Sequence, residues 1–458
     1  MAYRQLVSHD PATEKQVYVT PQLSDAQLRT KIHLAAKAQQ RWRDTHLEAR
    51  ARLLKKAAIL LREKKMDLAQ VAAVEMGKTL KAGVAEIEKC ATTLEYYAEH
   101  AASMLGPEIV NTEAKKSYVR FDPLGVVLAV MPWNFPFWQV FRAAAPALMA
   151  GNTMLLKHAS NVQRCALETE KIFTKAGFPK GIFTNLAIES SRVENVIRDE
   201  RVAAVTLTGS EQAGSQVARV AGEVLKKTVL ELGGSDPFIV LSDADLEAAC
   251  ETAVLARLQA NVGQSCISAK RFIVDKSVHA SFVKGVAERL SKLVVGDPRD
   301  SATNVGPLAS KQMLETIEKQ VHESIKRGAK AVFGGSRKTG RGYFFIPTLL
   351  TGVKKGMPAY DEELFGPVIA VIQVSDEKKA LQVANDTIYG LGSTIFTKNI
   401  EKAEKMAESI HAGAVFINSA VKSDPRLPFG GVKKSGYGRE LAHYGIREFV
   451  NIKTVYSK

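Results

Sequence analysis

From Gly125 onward the chain alternates short, wholly apolar runs with helical segments, and this alternation restricts the fold more than any other feature. GVVLAVM (125–131) reads as a buried strand, followed by a helix over Phe137–Met149 and a strand over Thr153–Leu156. A helix after Ser160 ends near Gly177. Strands follow at Ile182–Leu186, at Ala203–Leu207 (before Thr208-Gly209-Ser210 and a helix) and at Thr228–Leu230, running up to Glu231. Continuous apolar runs of this length are strands buried on both faces. Alternating with helices, they predict an α/β fold whose parallel sheet is covered on both sides, a common scaffold for a nucleotide.

A second alternating block begins near Pro237. Its expected strands are Phe238–Leu241, Arg271–Val274, Val368–Val374, Thr394–Phe396 and Val415–Ile417. Its expected helices are one capped by Asp243, then Val278–Leu293, Asp376–Asn385 and Ile400–Ile410. A chain of 458 residues is too long for one simple core, so the two blocks read as two domains meeting near residue 232. The N-terminal region is helical. Ser24-x-x-Gln27 and Thr45-x-x-Glu48 have the form of capping boxes, and a long helix through Val84, Ile87, Cys90, Leu94, Tyr97 and Ala101 stops at Gly106-Pro107. Lys115–Phe121 and Val450–Tyr456 alternate like exposed strands, whose edges need covering, most simply by a second subunit.

The formal charge of +15 raises the question of nucleic acid. The basic residues are scattered among acidic ones on helices, with no basic tail, zinc-finger spacing or aromatic RNA-binding phrase, so no nucleic-acid partner is expected. No apolar run approaches the ~20 residues that span a bilayer. The opening MAYRQLVSHD lacks the pattern of a signal peptide, and a cytoplasmic location is expected. The four cysteines lie far apart without Cys-x-x-Cys, and the nine histidines are dispersed without His-Glu-x-x-His, so neither disulfides nor a metal site is expected.

Three residues carry the chemistry. Cys266 follows Gly263-Gln264-Ser265, a glycine turn that suits an exposed nucleophile, whereas Cys90, Cys165 and Cys250 sit in helical or apolar surroundings. Glu231 ends an apolar strand and precedes Gly233-Gly234, which allow close backbone approach; it reads as a base or as a strand-end surface carboxylate. Asn134, in Pro132-Trp133-Asn134-Phe135-Pro136, follows the first strand of the parallel block. Its amide suits a developing oxyanion, or simply a turn between prolines. The pair Gly209 and Gly214 at a strand-to-helix junction suits a pyrophosphate on a helix N-terminus, without forming Gly-x-Gly-x-x-Gly.

Taken together these phrases resemble the NAD(P)-dependent aldehyde dehydrogenase superfamily over almost the full length. The matching motifs, in the family's order, are Pro132–Pro136, Thr208-Gly209-Ser210, Glu231–Gly234, Gly263–Cys266 and Glu363-Leu364-Phe365-Gly366-Pro367, with Pro428-Phe429-Gly430-Gly431 beyond. The resemblance implies Cys266 as nucleophile, Asn134 and the Cys266 N–H as oxyanion donors, and Glu231 as the base that hydrolyses a thioester. For the cofactor it implies Lys157 at the adenosine ribose and Gly209, Ser210 and Gly214 at the pyrophosphate. Glu363 would hold the nicotinamide ribose and Phe365 would pack on the ring, with Trp133 and Leu232 beside them. It also implies two α/β domains with a small β arm for assembly as a homodimer or homotetramer. The expected dinucleotide-binding domain is residues 1–106 and 124–231, the catalytic domain 232–427, and the arm 107–123 and 440–458.

Two positions refine this expectation. NAD-preferring members often have Glu three residues after the lysine, where Ser160 stands here; Ser160 beside Lys157 accepts a 2′-phosphate, so NADP is favoured and NAD admitted. Arg142, eight residues after Asn134, matches the arginine of succinate-semialdehyde dehydrogenases, and its fork suits a carboxylate; the alternative is an ion-paired Arg. The second substrate arginine of many such enzymes is replaced by Ala260, and Arg426 is the candidate to supply the missing charge. Ser268 stands where some relatives have a second cysteine. The stretch Phe429–Tyr437 looks most like a bacterial succinate-semialdehyde dehydrogenase. The rivals are a broad aliphatic or aromatic aldehyde dehydrogenase, and a Cys-dependent amidase or acyl transferase without redox, which would need a His base near Cys266.

Overall fold

The computed structural model describes residues 5–458, the side chain of Gln259 excepted. One open sheet has the strand order Gly436–Tyr437, Lys227–Glu231, Val202–Thr208, Val126–Met131, Thr153–His158, Phe183–Asn185. Its neighbours are parallel except Gly436–Tyr437, which pairs antiparallel with Leu230 and Glu231. Along Val126–Met131, Val127, Ala129 and Met131 enter one apolar cluster, while Val126 and Leu128 enter another on the opposite face. That two-sided burial is why the run contains no polar residue; each such side chain is worth roughly 1.5–3 kcal/mol when fully buried. Strand order reverses between Val126–Met131 and Val202–Thr208, creating at their C-terminal ends the switch point where such sheets take ligands.

The second sheet has the order Lys330–Phe333, Thr348–Thr351, Val368–Val374, Arg271–Asp275, Pro237–Val240, Gly392–Phe396, Ala414–Ile417 and its own apolar core. Only Lys330–Phe333 pairs antiparallel. The chain leaves the first sheet at Glu231 and enters the second at Pro237. Short connections therefore hold the C-terminal ends of the first sheet against the N-terminal ends of the second. A third, antiparallel sheet joins Val450–Ser457 to Lys116–Pro123 and then to Glu108–Ile109. The two strands expected to be exposed thus cover each other, leaving Ile109, Ile452 and Tyr456 in solvent.

Two capping expectations are corrected. The hydroxyl of Thr45 donates to Arg41 O, closing the preceding helix, and Leu47–Glu63 starts from His46 without a side-chain cap. Leu246–Val254 is capped by Asp245, whose carboxylate accepts from Ala248 N at 3.1 Å. Asp243 instead accepts from the Thr397 hydroxyl and the amides of Lys398 and Asn399, tying the end of one strand to the turn after another. The Ser24–Gln27 capping box is formed in both directions. The helix Lys311–Lys326, the strands Lys330–Phe333 and Thr348–Thr351, and the hairpin Leu6–His9 with Gln16–Thr20 have no counterpart in the sequence reading.

Candidate active site

A cavity of about 240 Å³ lies where the two sheets meet. The first sheet contributes residues at or just beyond the ends of its strands: Pro132, Trp133, Asn134, Thr208, Gly209, Ser210, Leu232 and Gly233. Cys266, Glu363 and Phe365 come from loops that precede strands of the second sheet. Gln139 and Met313 complete the lining.

The loop carrying Cys266 is bent by Gly263, at φ +73°, where an added Cβ would collide with Gly366 O. Arg257, fully buried, clamps the same two loops. Its Nε donates to Val368 O at 2.8 Å, Nη1 to Gly263 O at 3.3 Å and to Ser268 Oγ at 3.1 Å, and Nη2 to Leu364 O at 2.5 Å. Buried Lys270 donates to the carbonyls of Ser265 (2.8 Å) and Cys266 (2.6 Å) and pairs with Glu363 at 3.3 Å. Glu363 also accepts from Gly234 N at 3.0 Å. The nucleophile loop and the Glu363 loop are thus held in register by two buried cations, each of whose nitrogens donates to oxygen.

Cys266 is half-buried, and desolvation pushes its thiol up to about 11, with Lys270 and Arg142 opposing the rise. Asn134 Nδ2 donates to Gln264 O at 3.0 Å, a carbonyl that also accepts from Asn261 Nδ2 at 3.0 Å. Asn261 Nδ2 reaches Asn134 O at 2.7 Å as well. One amide hydrogen of Asn134 is therefore spent on fixing its position beside the Cys266 loop. The other remains to donate.

Glu231 stands behind the cavity rather than on its lining. Its carboxylate is buried, neither oxygen has a hydrogen-bond partner among the described residues, and it lies over Gly430, where an added Cβ would come within 2.7 Å of Oε1. Burial, reinforced by the neighbouring carboxylate of Glu440, holds the Glu231 carboxyl well above the usual range. Glu440 pairs with Arg142 Nε, and burial raises its own carboxyl too. Arg142 also donates from Nη2 to Thr208 Oγ1 at 3.1 Å and lies over the Phe429 ring at 4.8 Å.

The structure thus gathers Trp133, Asn134, Gly209, Ser210, Leu232, Cys266, Glu363 and Phe365 around one space. Glu231 and Arg142 sit behind it, while Lys157, Ser160 and Gly214 lie outside its lining. Gly214 packs on Leu232, where a Cβ would meet the leucine methyls at 2.6 Å. Arg426 requires correction as the supplier of the missing charge. It is exposed, and its fork is satisfied by Asp424 two residues away, through Nε at 2.8 Å and Nη2 at 2.7 Å.

Sequence reasoning missed Lys270, Arg257 and Glu440. A lysine four residues after the nucleophile, at the head of an apolar strand, was the available signal for the first. Gln139 and Met313 offered none.

The residues present fit a dinucleotide. Lys157 is buried at the end of a parallel strand, desolvation lowers its ammonium to about 8, and its hydrogen bond goes to a neutral partner, Ser190 Oγ, at 2.9 Å. A buried cation so placed is completed by an anion. Ser210 caps the helix Glu211–Glu223, whose first turn faces the same side of the sheet. Among the described residues no group of His, Cys, Asp and Glu is arranged to hold a metal ion, and no helix is long and apolar enough to cross a membrane.

Comparison with known proteins gives a consistent result. The model of the aldehyde dehydrogenase family matches residues 2–455. A probable succinate-semialdehyde dehydrogenase (NADP(+)) of Synechocystis sp. is 48% identical over 447 residues, covering 98% of both chains. Succinate-semialdehyde dehydrogenase (NADP(+)) 1 of Mycobacterium tuberculosis is 48% identical over 450 residues, again covering 98% of each. The crystal structure of succinic semialdehyde dehydrogenase from Streptococcus pyogenes, in complex with NADP+, superimposes with a TM-score of 0.96 at 40% identity, covering 98% of this chain and 99% of that one. This chain belongs to the aldehyde dehydrogenase family and is an oxidoreductase of the α/β class.

Proposed function

We propose that the chain oxidises succinate semialdehyde to succinate with NADP, and with NAD as a second acceptor. The observation that carries the chemistry is the shared cavity of Cys266 and Asn134 with Glu363, Phe365 and Trp133. The carboxylate-bearing substrate is supported by the buried cation of Arg142 beside Cys266, and by the names of the 48%-identical relatives.

The Cys266 thiol gives its proton to solvent water, Sγ bonds to the aldehyde carbon as the C=O π pair moves onto oxygen, and that oxygen is received by Asn134 Nδ2 and the Cys266 N–H, a contribution on the order of 3 kcal/mol per donor. The nicotinamide, when bound, supplies the hydride acceptor that turns the thiohemiacetal into a thioester. Lys157 and Ser160 would hold the adenosine ribose and its 2′-phosphate, Gly209, Ser210 and Gly214 the pyrophosphate, and Glu363 the nicotinamide ribose, with Trp133, Leu232 and Phe365 beside the ring. Glu231 rotates from its place over Gly430, takes a proton from water as the water oxygen attacks the thioester carbon, and the Cys266 thiolate leaves. A carboxyl held above its ordinary range is a stronger base, as this step requires.

Arg142, paired with Glu440 through Nε and donating from Nη2 to Thr208, is the cation offered to the substrate carboxylate. The division into a dinucleotide-binding and a catalytic unit follows the two sheets. The exposed apolar side chains of the third sheet support assembly into dimers or tetramers through that arm, and we place the enzyme in the cytoplasm. The test is an initial-rate panel of succinate semialdehyde and butanal with NADP and NAD in parallel. A kcat/KM ratio of about tenfold or more favouring the carboxylate-bearing aldehyde is expected; equal values would assign the chain to broad aliphatic aldehydes instead.

A further inference from the structure

Resting on the succinate semialdehyde reading, we propose that Lys89 is a specificity-determining residue: its ammonium, seated between Ser423 and Trp138, is the second cation that binds the substrate carboxylate. Lys89 lies on the helix Leu80–Leu105, half-buried, and its Nζ donates to Ser423 Oγ at 2.6 Å and sits 4.2 Å from the Trp138 ring centroid. Trp138 opens the helix Trp138–Met149, four residues after Asn134 in the chain and one helical turn before Arg142. Trp138 and Phe429 share one apolar cluster, against which Cys266 packs. Arg142 lies over Phe429 and is close enough to repel Lys89 while it attracts the Cys266 thiolate. Arg142 thus acts electrostatically on both Lys89 and Cys266 and links the two.

What marks Lys89 is the state of its charge. An ammonium has three donors, and here the protein supplies a neutral hydroxyl and an aromatic face. The carboxylates that act on it at longer range are committed elsewhere: Glu86 to Lys78 and to the amides of Phe137 and Trp138, Asp424 to Arg426. Burial and Arg142 lower the ammonium to about 8, so the protein bears a cost that an anionic ligand would relieve. A carboxylate between Lys89 and Arg142 receives charge from both. An uncharged aldehyde of the same length gains nothing. The same geometry gives a chain with Ala260, and with Arg426 spent on Asp424, a cation besides Arg142, which is itself paired with Glu440.

The experiment compares Lys89→Met, Lys89→Arg and Ser423→Ala with the parent full-length enzyme, using succinate semialdehyde and butanal at saturating NADP. Lys89→Met is expected to raise KM for succinate semialdehyde on the order of ten- to a hundredfold, the range of a charge-assisted contact, while kcat/KM for butanal stays within about twofold. Lys89→Arg retains most of the preference, and Ser423→Ala lowers it by less than Lys89→Met. Equal losses with both aldehydes, or an unchanged KM for succinate semialdehyde in an enzyme whose parent prefers it, would overturn the role of Lys89 and leave the substrate assignment standing. A parent enzyme with no preference would overturn both. Should Lys89→Met fail to fold, the arginine and serine variants carry the same comparison.

Discussion

In the Cys266 and Glu363 loops on the second-sheet side of the cleft, buried charge is satisfied, although Asp236 at the entry to that sheet keeps two bare oxygens among the described residues. Lys270 ends on two carbonyls and Glu363, Arg257 on three carbonyls and a hydroxyl, and Glu363 on Lys270 and the Gly234 amide. On the wall built from the first sheet it is not. Glu231 keeps two bare oxygens, Glu440 shares Arg142 with it, and Lys157 and Lys89 rest on single hydroxyls. The difference separates two uses of buried ions. A fully hydrogen-bonded charge fixes loops, and breaking it costs structure; an under-satisfied charge costs stability and keeps reactivity for a substrate, a cofactor or a proton.

The comparison can be broken at several points. Cys266→Ser, which leaves both walls intact, should lower kcat by about 10³-fold or more with an unchanged melting temperature, read by steady-state rates and thermal melts. Asn134→Ala should cost about 10²–10³ in kcat, with little change in cofactor affinity measured by titration. On the satisfied wall, Lys270→Met should destabilise by about 3–5 kcal/mol in denaturant melts, because it strands Glu363 and two carbonyls.

Glu231→Gln should do the reverse. Because the Glu231 carboxyl is raised in the folded chain, the native state binds more protons than the unfolded one above the ordinary carboxylate range, and stability falls as pH rises there. The variant should therefore melt above the parent at pH 7–8, and the advantage should disappear below about pH 4, where both forms are protonated. A lower melting temperature for Glu231→Gln at neutral pH would show that its carboxylate is satisfied after all.

Much of the first sheet was legible because burial on both faces leaves runs such as Val126–Met131 with no polar residue. The cavity-lining phrases were legible because each sits directly beyond a recognisable strand or glycine turn. The helix caps at residues 45 and 243 were misplaced because a hydroxyl or carboxylate near a helix start has several competing acceptors or donors, and only the fold decides among them. Arg426 was misjudged because Asp424, its partner, reads as an ordinary turn residue. Lys89 was invisible: on the helix Leu80–Leu105 it looks like any solvated lysine, and its partner Ser423 lies 334 positions away in the chain.

The thioester route is tested most directly by rapid mixing of Glu231→Gln enzyme with succinate semialdehyde and NADP, with intact-mass analysis of the quenched protein. Because Cys266 and Asn134 remain while the base for hydrolysis is gone, a burst of reduced cofactor near one equivalent per site should be followed by turnover slowed by about 10²–10⁴-fold, with a succinyl adduct on Cys266. Full steady-state turnover without a burst, or a burst with no mass added at Cys266, would contradict it.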